Sequence, residues 1–139
     1  MQVQIKANAK DVAKRIGKKG KELSASVKSA LSLTAQAGVN IIEDRTRKGV
    51  GYKGAFESYS PEYAAFRASK GRGTTVDLQF TGNMLGSMTT RASSKQAEIF
   101  FTKASESKKA AMNNKSRPFF GFNRSEEKRL GQVFFKVLK

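Results

Sequence analysis

The chain has 139 residues, with 27 basic against 11 acidic side chains, a formal net charge of +16, and neither cysteine nor histidine. That length fits one domain with a modest core, while the missing cysteine removes disulfides and thiolate chemistry and the missing histidine removes the usual proton shuttle. A positive charge of this size attracts polyanions or an acidic partner in a salt-sensitive, sequence-blind way.

Gln2 to Lys6 alternates polar and apolar residues with Val3 and Ile5 on one side, which predicts a short strand. Asn8 can cap a helical turn carrying Val12 and Ile16, and Gly17 and Gly20 then interrupt it, each costing about 1 kcal/mol relative to Ala. Residues 1–20 are therefore read as an N-terminal strand and short helix. The first residues lack the apolar core of a signal peptide, so the chain is expected to start life in a cytoplasm.

The stretch Lys21 to Arg47 organises the rest. Leu23, Val27, Ala30, Leu31, Thr34, Gly38, Ile41 and Ile42 recur at helical spacing, and no charge falls between Ser29 and Ile42. The spacing predicts a helix of roughly 40 Å with a buried middle, ended by Gly49 in a left-handed cap. A membrane span needs about 20 mostly apolar residues, whereas this run contains Ser29, Ser32, Thr34, Gln36 and Asn40. No membrane is expected.

Residues 48–60 carry Gly49, Gly51 and Gly54 with Tyr52, Phe56 and Tyr59, and show no sustained period, so they read as a mobile loop with wet aromatics. Those three rings are the candidate subunit interface. Ser60-Pro61-Glu62 has the cap, first-turn proline and first-turn acid of a helix that Gly71 stops, with Tyr63 and Phe66 toward the core. Val76, Leu78 and Phe80 alternate as in a half-buried strand. Thr81 then caps a short helix carrying Met84, Leu85 and Met88. Thr89–Ser93 and Ala97–Lys103 form a hairpin, Ser105–Asn114 is either helix or loop, and Asn123 or Ser125 caps a last helix. Leu130, Val133, Phe134, Val137 and Leu138 make its apolar face.

Three patterns invite functional readings. Gly49-Val50-Gly51-Tyr52-Lys53-Gly54 matches a dinucleotide fingerprint, but a helix precedes it where that turn needs a strand. Asp77, Glu98 and Lys103 suggest a nuclease set, yet Glu98 and Lys103 are five apart and would leave a strand on opposite faces. The carboxylates show no metal-ligand spacing, so no enzyme, metal or cofactor is expected. Gly17-Lys18-Lys19-Gly20 fits the backbone clamp of a KH domain, with Lys18 and Lys19 as possible phosphate contacts. That is the alternative function, a nucleic-acid-binding module.

Three stretches are similar, in this order, to the tail-completion or neck proteins of tailed bacteriophages, also described as head-tail joining or virion morphogenesis proteins. They are Tyr59-Ser60-Pro61-Glu62-Tyr63, Leu78-Gln79-Phe80-Thr81-Gly82-Asn83-Met84-Leu85-Gly86-Ser87-Met88, and Arg117-Pro118-Phe119-Phe120-Gly121 before the capped last helix. With the long helix, the resemblance spans roughly Leu23 to Val137. It implies a structural subunit of an oligomeric ring, a hexamer in the virion, at the neck where tail meets head. Its partners would be further copies and other neck and tail proteins, with non-specific contact to DNA. It also implies a location in the virion, and in the host cytoplasm during assembly. A tail-terminator role is the close variant. The fold expected from the elements is a single α+β domain over residues 1–139, a long N-terminal helix packed across a small antiparallel sheet, with a C-terminal amphipathic helix.

Overall fold

The computed structural model describes residues 1–6, 20–79 and 81–138, with side chains omitted for 20–22. The expected turn at Asn8 to Ile16, the lysines Lys18 and Lys19, and Phe80 lie outside the described residues. The order is β1 (Gln2–Lys6), α1 (Gly20–Arg47), β2 (Val50–Gly51), β3 (Gly54–Ala55), α2 (Pro61–Ser69), α3 (Asn83–Gly86), β4 (Met88–Ala92), β5 (Gln96–Phe101), α4 (Ala104–Ser116) and α5 (Arg124–Leu138). This is an α+β fold: a 28-residue helix lies across a three-stranded antiparallel sheet ordered β1-β5-β4, and the C-terminal helix packs beside it.

The period-two pattern decides which face of the sheet is covered. β5 is the central strand, and its Ala97, Ile99 and Phe101 are buried toward α1. Val3 and Ile5 pair with Ile99 and Ala97, and Met88 and Ala92 pair with Phe101 and Ala97, so all seven share that face. The opposite face is polar apart from Phe100, over whose ring the Arg91 guanidinium lies at 4.6 Å. There Glu98 accepts from Gln4, Gln96 and Arg91, which cover it at 8% exposure.

α1 buries Val27, Ala30, Leu31, Thr34, Ala35, Val39 and Ile42, a stripe slightly rotated from the expected one, with Ile41 only half-buried. Its middle is covered on one face only, since Leu33 is 53% exposed and Ser29, Ser32, Gln36 and Asn40 are open to solvent. Gly49 ends it at φ +80, with its N–H on the Thr46 carbonyl, as the cap argument requires. Asn123, not Ser125, caps α5: its Oδ1 accepts from Glu126 N at 2.8 Å while Glu126 Oε1 accepts from Asn123 N at 3.0 Å. Leu130, Phe134 and Leu138 are buried below it.

Residues 48–60 differ most from expectation. Val50-Gly51 and Gly54-Ala55 form a small antiparallel hairpin that docks on Pro118, whose carbonyl accepts from Tyr52 N at 3.2 Å. A Cβ on Gly51 would stand 2.0 Å from that carbonyl oxygen, so only glycine permits the approach. Tyr52 lies against Gly121, Phe56 packs on the core, and Phe56 N donates to Gly49 O. The aromatics have seats within their own domain because glycines let the hairpin lie flat on it. Shortening Val50 to Phe56 to three glycines is accordingly expected to destabilise the chain by about 2 to 3 kcal/mol, from lost apolar burial and two hydrogen bonds. A urea melt reads this directly. An unchanged midpoint would restore the mobile loop.

Candidate functional site: a polar cleft beside the hairpin

α2 begins as its sequence dictates, with Ser60 Oγ accepting from Tyr63 N at 3.2 Å and Pro61 in the first turn. Its orientation is not the expected one. Tyr63 and Phe66 are 38% and 46% exposed, and the residue driven inward is Arg67, at 1% the largest of the fully buried side chains. After Gly71 (φ +73) the chain turns back without forming a strand through Val76 and Leu78, so carbonyls there lack ladder partners. Arg67 supplies the donors. Nε bonds Gly73 O at 2.9 Å, Nη1 bonds Gln79 O at 3.2 Å and Tyr59 Oη at 3.5 Å, and Nη2 bonds Asp77 Oδ1 at 3.1 Å.

This fan of hydrogen bonds holds Leu78 at φ +56, a left-handed conformation that a leucine adopts only under constraint. Leu78 N donates to Tyr59 Oη at 3.2 Å, and Gln79 N donates to Asp77 Oδ1 at 3.0 Å, so both flanks are fixed. Gly82 (φ +83) then turns the chain into α3. Gly82 takes the cap position expected for Thr81, whose Oγ1 instead accepts from Asn83 N at 3.3 Å. Met84 and Leu85 are buried, while Met88 belongs to β4 rather than to that helix.

The third stretch closes the arrangement. The backbone of residues 117–121 is held by α4 and by the hairpin: Arg117 N donates to Asn113 O, Phe119 N and Phe120 N donate to Asn114 Oδ1, and Pro118 O accepts from Tyr52 N. Arg45 of α1 bonds Phe119 O at 2.8 Å, Gly121 O, and Glu126 Oε2 at 2.8 Å, tying α1, this loop and α5 together. The loop can therefore bury Phe119 at 0% and Phe120 at 5% in the core, below Phe101. Arg117 points the other way and bonds Glu57 O and Ser58 O at 3.1 and 3.2 Å.

Between these stretches lies a half-open cleft of about 480 Å³. Tyr59, Ser60 and Tyr63 form one wall, Leu78, Thr81, Gly82 and Met84 a second, and Glu106, Lys109, Asn113 and Arg117 the third, with Arg67 at the base. The guanidinium carbons of Arg67 and Arg117 each lie 5.0 Å from the Tyr59 ring centroid, and Tyr63 meets that ring edge-on at 4.8 Å. Glu106 is 5% exposed. Its Oε1 accepts from Lys109 Nζ at 3.1 Å, but Oε2 has no partner, one of two such buried side-chain oxygens among the described residues, the other being Thr46 Oγ1. An orphaned buried acceptor costs about 1 to 3 kcal/mol.

Burial pushes the Tyr59 phenol above its ordinary value of 10.0, against the pull of Arg67 and the Leu78 amide. The folded chain thus keeps a proton that the unfolded chain loses first. Its contribution is complete below pH 10.0 and declines as pH rises from there through the raised value. Tyr59→Phe should remove that share of the alkaline loss and cost about 1 to 2 kcal/mol at neutral pH, since Leu78 N loses its acceptor. Urea melts of both proteins below and above the ordinary phenol range test this, and parallel alkaline losses would contradict it.

The structure thus brings Tyr59, Ser60, Tyr63, Thr81, Gly82, Met84 and Arg117 to one cleft, while Pro61, Leu85, Pro118, Phe119, Phe120 and Gly121 shape the fold around it. Tyr52 and Phe56 are seated at the hairpin, away from it. Arg67, Glu106, Lys109 and Asn113 were not anticipated; the signal for Arg67 was an arginine one turn after Tyr63, ahead of a glycine-rich return carrying Asp77. Among the described residues no group of three His, Cys, Asp or Glu is placed to hold a metal, and no helix is long and apolar enough to cross a membrane. Comparison with protein-family models, curated proteins and solved structures finds no match to this chain.

Proposed function

We propose that the chain is a structural virion assembly protein, a tail-completion or head-tail joining subunit that forms a ring, sixfold in the virion, at the neck of a tailed phage. The observation that carries this reading is the convergence of its three resembling stretches, far apart in sequence, on one cleft and the core beneath it. The +16 charge suits a subunit beside packaged DNA, and further copies and neighbouring neck and tail proteins are its partners. Half-exposed rings remain for such contacts, now at Tyr63 and Phe66 on α2 rather than on a mobile loop. Antibody-gold labelling of intact particles tests the placement. Gold at the head-tail junction is expected, and particles that carry none of the chain would overturn the reading.

The charge also favours a second reading, binding to nucleic acid. A KH-like clamp has less support, because α1 runs unbroken from Gly20 to Arg47 where that fold would turn into its next strand. Titration of unrelated oligonucleotides at rising salt decides: binding that vanishes by moderate salt reflects bulk charge, whereas a retained sequence preference would favour a nucleic-acid module.

A further inference from the structure

α2 is an outlying element. Arg67 is its one buried residue, and the helix packs extensively on no other described helix or strand. Its outer ridge carries Glu62, Tyr63, Phe66 and Lys70, with the two ring centroids 6.2 Å apart and the Lys70 ammonium 5.8 Å from the Phe66 centroid. An acid thus stands at one end of an apolar ridge, and Glu62 forms no ion pair among the described residues. A groove of complementary make-up lies elsewhere on the chain. Between α1 and α5 a half-open space of about 450 Å³ is lined by Ile41, Leu130 and Val133, and it shares no lining residue with the cleft beside α2. The Arg45–Glu126 ion pair sets the end of α1 beside the start of α5, so Lys48 and Arg129 lie toward that end of the groove and Ile41 and Val133 farther along. Arg45 and Glu126 neutralise each other, which leaves Lys48 and Arg129 against Asp44 alone, and neither cation has an ion-pair partner among the described residues.

We infer that the α2 ridge of one copy docks in the α1–α5 groove of a second copy, with Glu62 on Arg129, flanked by Lys48, and the Tyr63 and Phe66 rings over Ile41, Leu130 and Val133. Glu62 to Phe66 and Arg129 to Val133 are each one helical turn, about 6 Å, so the acid meets the base as the ring meets the valine. The occupant is a second copy because every copy carries both surfaces, matched in charge and in apolar content, while α2 lines no part of its own groove. Such a contact joins unlike surfaces, so it repeats from copy to copy and closes into a ring where the rotation allows. It deepens the ring reading and rests on it for that closure alone: particles that carry none of the chain would overturn the neck placement and leave this contact standing.

Sedimentation of the isolated chain tests it at physiological salt, where the mutual repulsion of +16 subunits is screened beyond about 8 Å. Self-association in the micromolar range is expected, weakened about tenfold by Phe66→Ser and by either Glu62→Lys or Arg129→Glu. The two charge reversals combined in one chain should recover most of the association, since the pair is then exchanged rather than broken. Glu62 and Arg129 are both exposed, so these variants keep the fold. A chain that stays monomeric at millimolar concentration would overturn the inference and leave the ridge to a different protein. Association that Phe66→Ser weakens and Arg129→Glu does not would overturn it in favour of ridge-on-ridge packing, as would a double variant no better than its parents.

Discussion

Phe119→Ala is expected to destabilise the chain by about 3 to 5 kcal/mol and to lower its melting temperature by roughly 10 to 20 °C. Phe119 is 0% exposed, and the loop that delivers it is held by Asn114, Arg45 and the hairpin carbonyl contact at Pro118. A loop fixed at so many points cannot collapse into the vacated space, which places the cost toward the upper end of the range. Calorimetry with urea melts reads it. A loss below about 1 kcal/mol would mean that the loop is free to repack, and the reading of residues 117–121 as a rigid insert would fall.

Arg67→Met should cost about 3 kcal/mol by a different route. The methionine fills part of the volume, but Gly73 O, Gln79 O and Asp77 lose the donors that hold the return chain, and only the Leu78 N to Tyr59 Oη and Gln79 N to Asp77 Oδ1 bonds remain to hold Leu78 in its left-handed conformation. Asp77 is 28% exposed and regains water, so the loss is set below the top of the range for a broken buried pair. The damage should be local. Amide exchange is expected to accelerate across residues 59–79 while β5 and α1 keep their protection, and uniform acceleration through the sheet would show that Arg67 belongs to the global core instead.

The long helix, the hairpin of β4 and β5 and the last helix were legible because each follows one period over many residues. Their caps at Gly49, Ser60 and Asn123 have short-range chemistry that sequence displays directly. The segment around Val76 and Leu78 alternates apolar and polar residues yet joins neither sheet among the described residues, because Arg67 rather than a neighbouring strand takes up its carbonyls. Tyr63 and Phe66 were expected inside by hydrophobicity. An inward arginine was preferred there because the return loop offered carbonyls and a carboxylate that only a five-donor side chain could satisfy. The hairpin seat of Tyr52 and Phe56 depended on close approach at Gly51 and Gly121, a matter of tertiary contact rather than of pattern. Of the cleft, the walls carried by the resembling stretches were visible, while Glu106 was concealed as an ordinary first-turn acid of α4.

The proposed joining role is tested most directly by electron micrographs of virus particles made without this chain. The account predicts filled heads and finished tails of normal length, present separately, and restored as joined particles when the chain is supplied. Tails of uncontrolled length, or intact infectious particles, would contradict it.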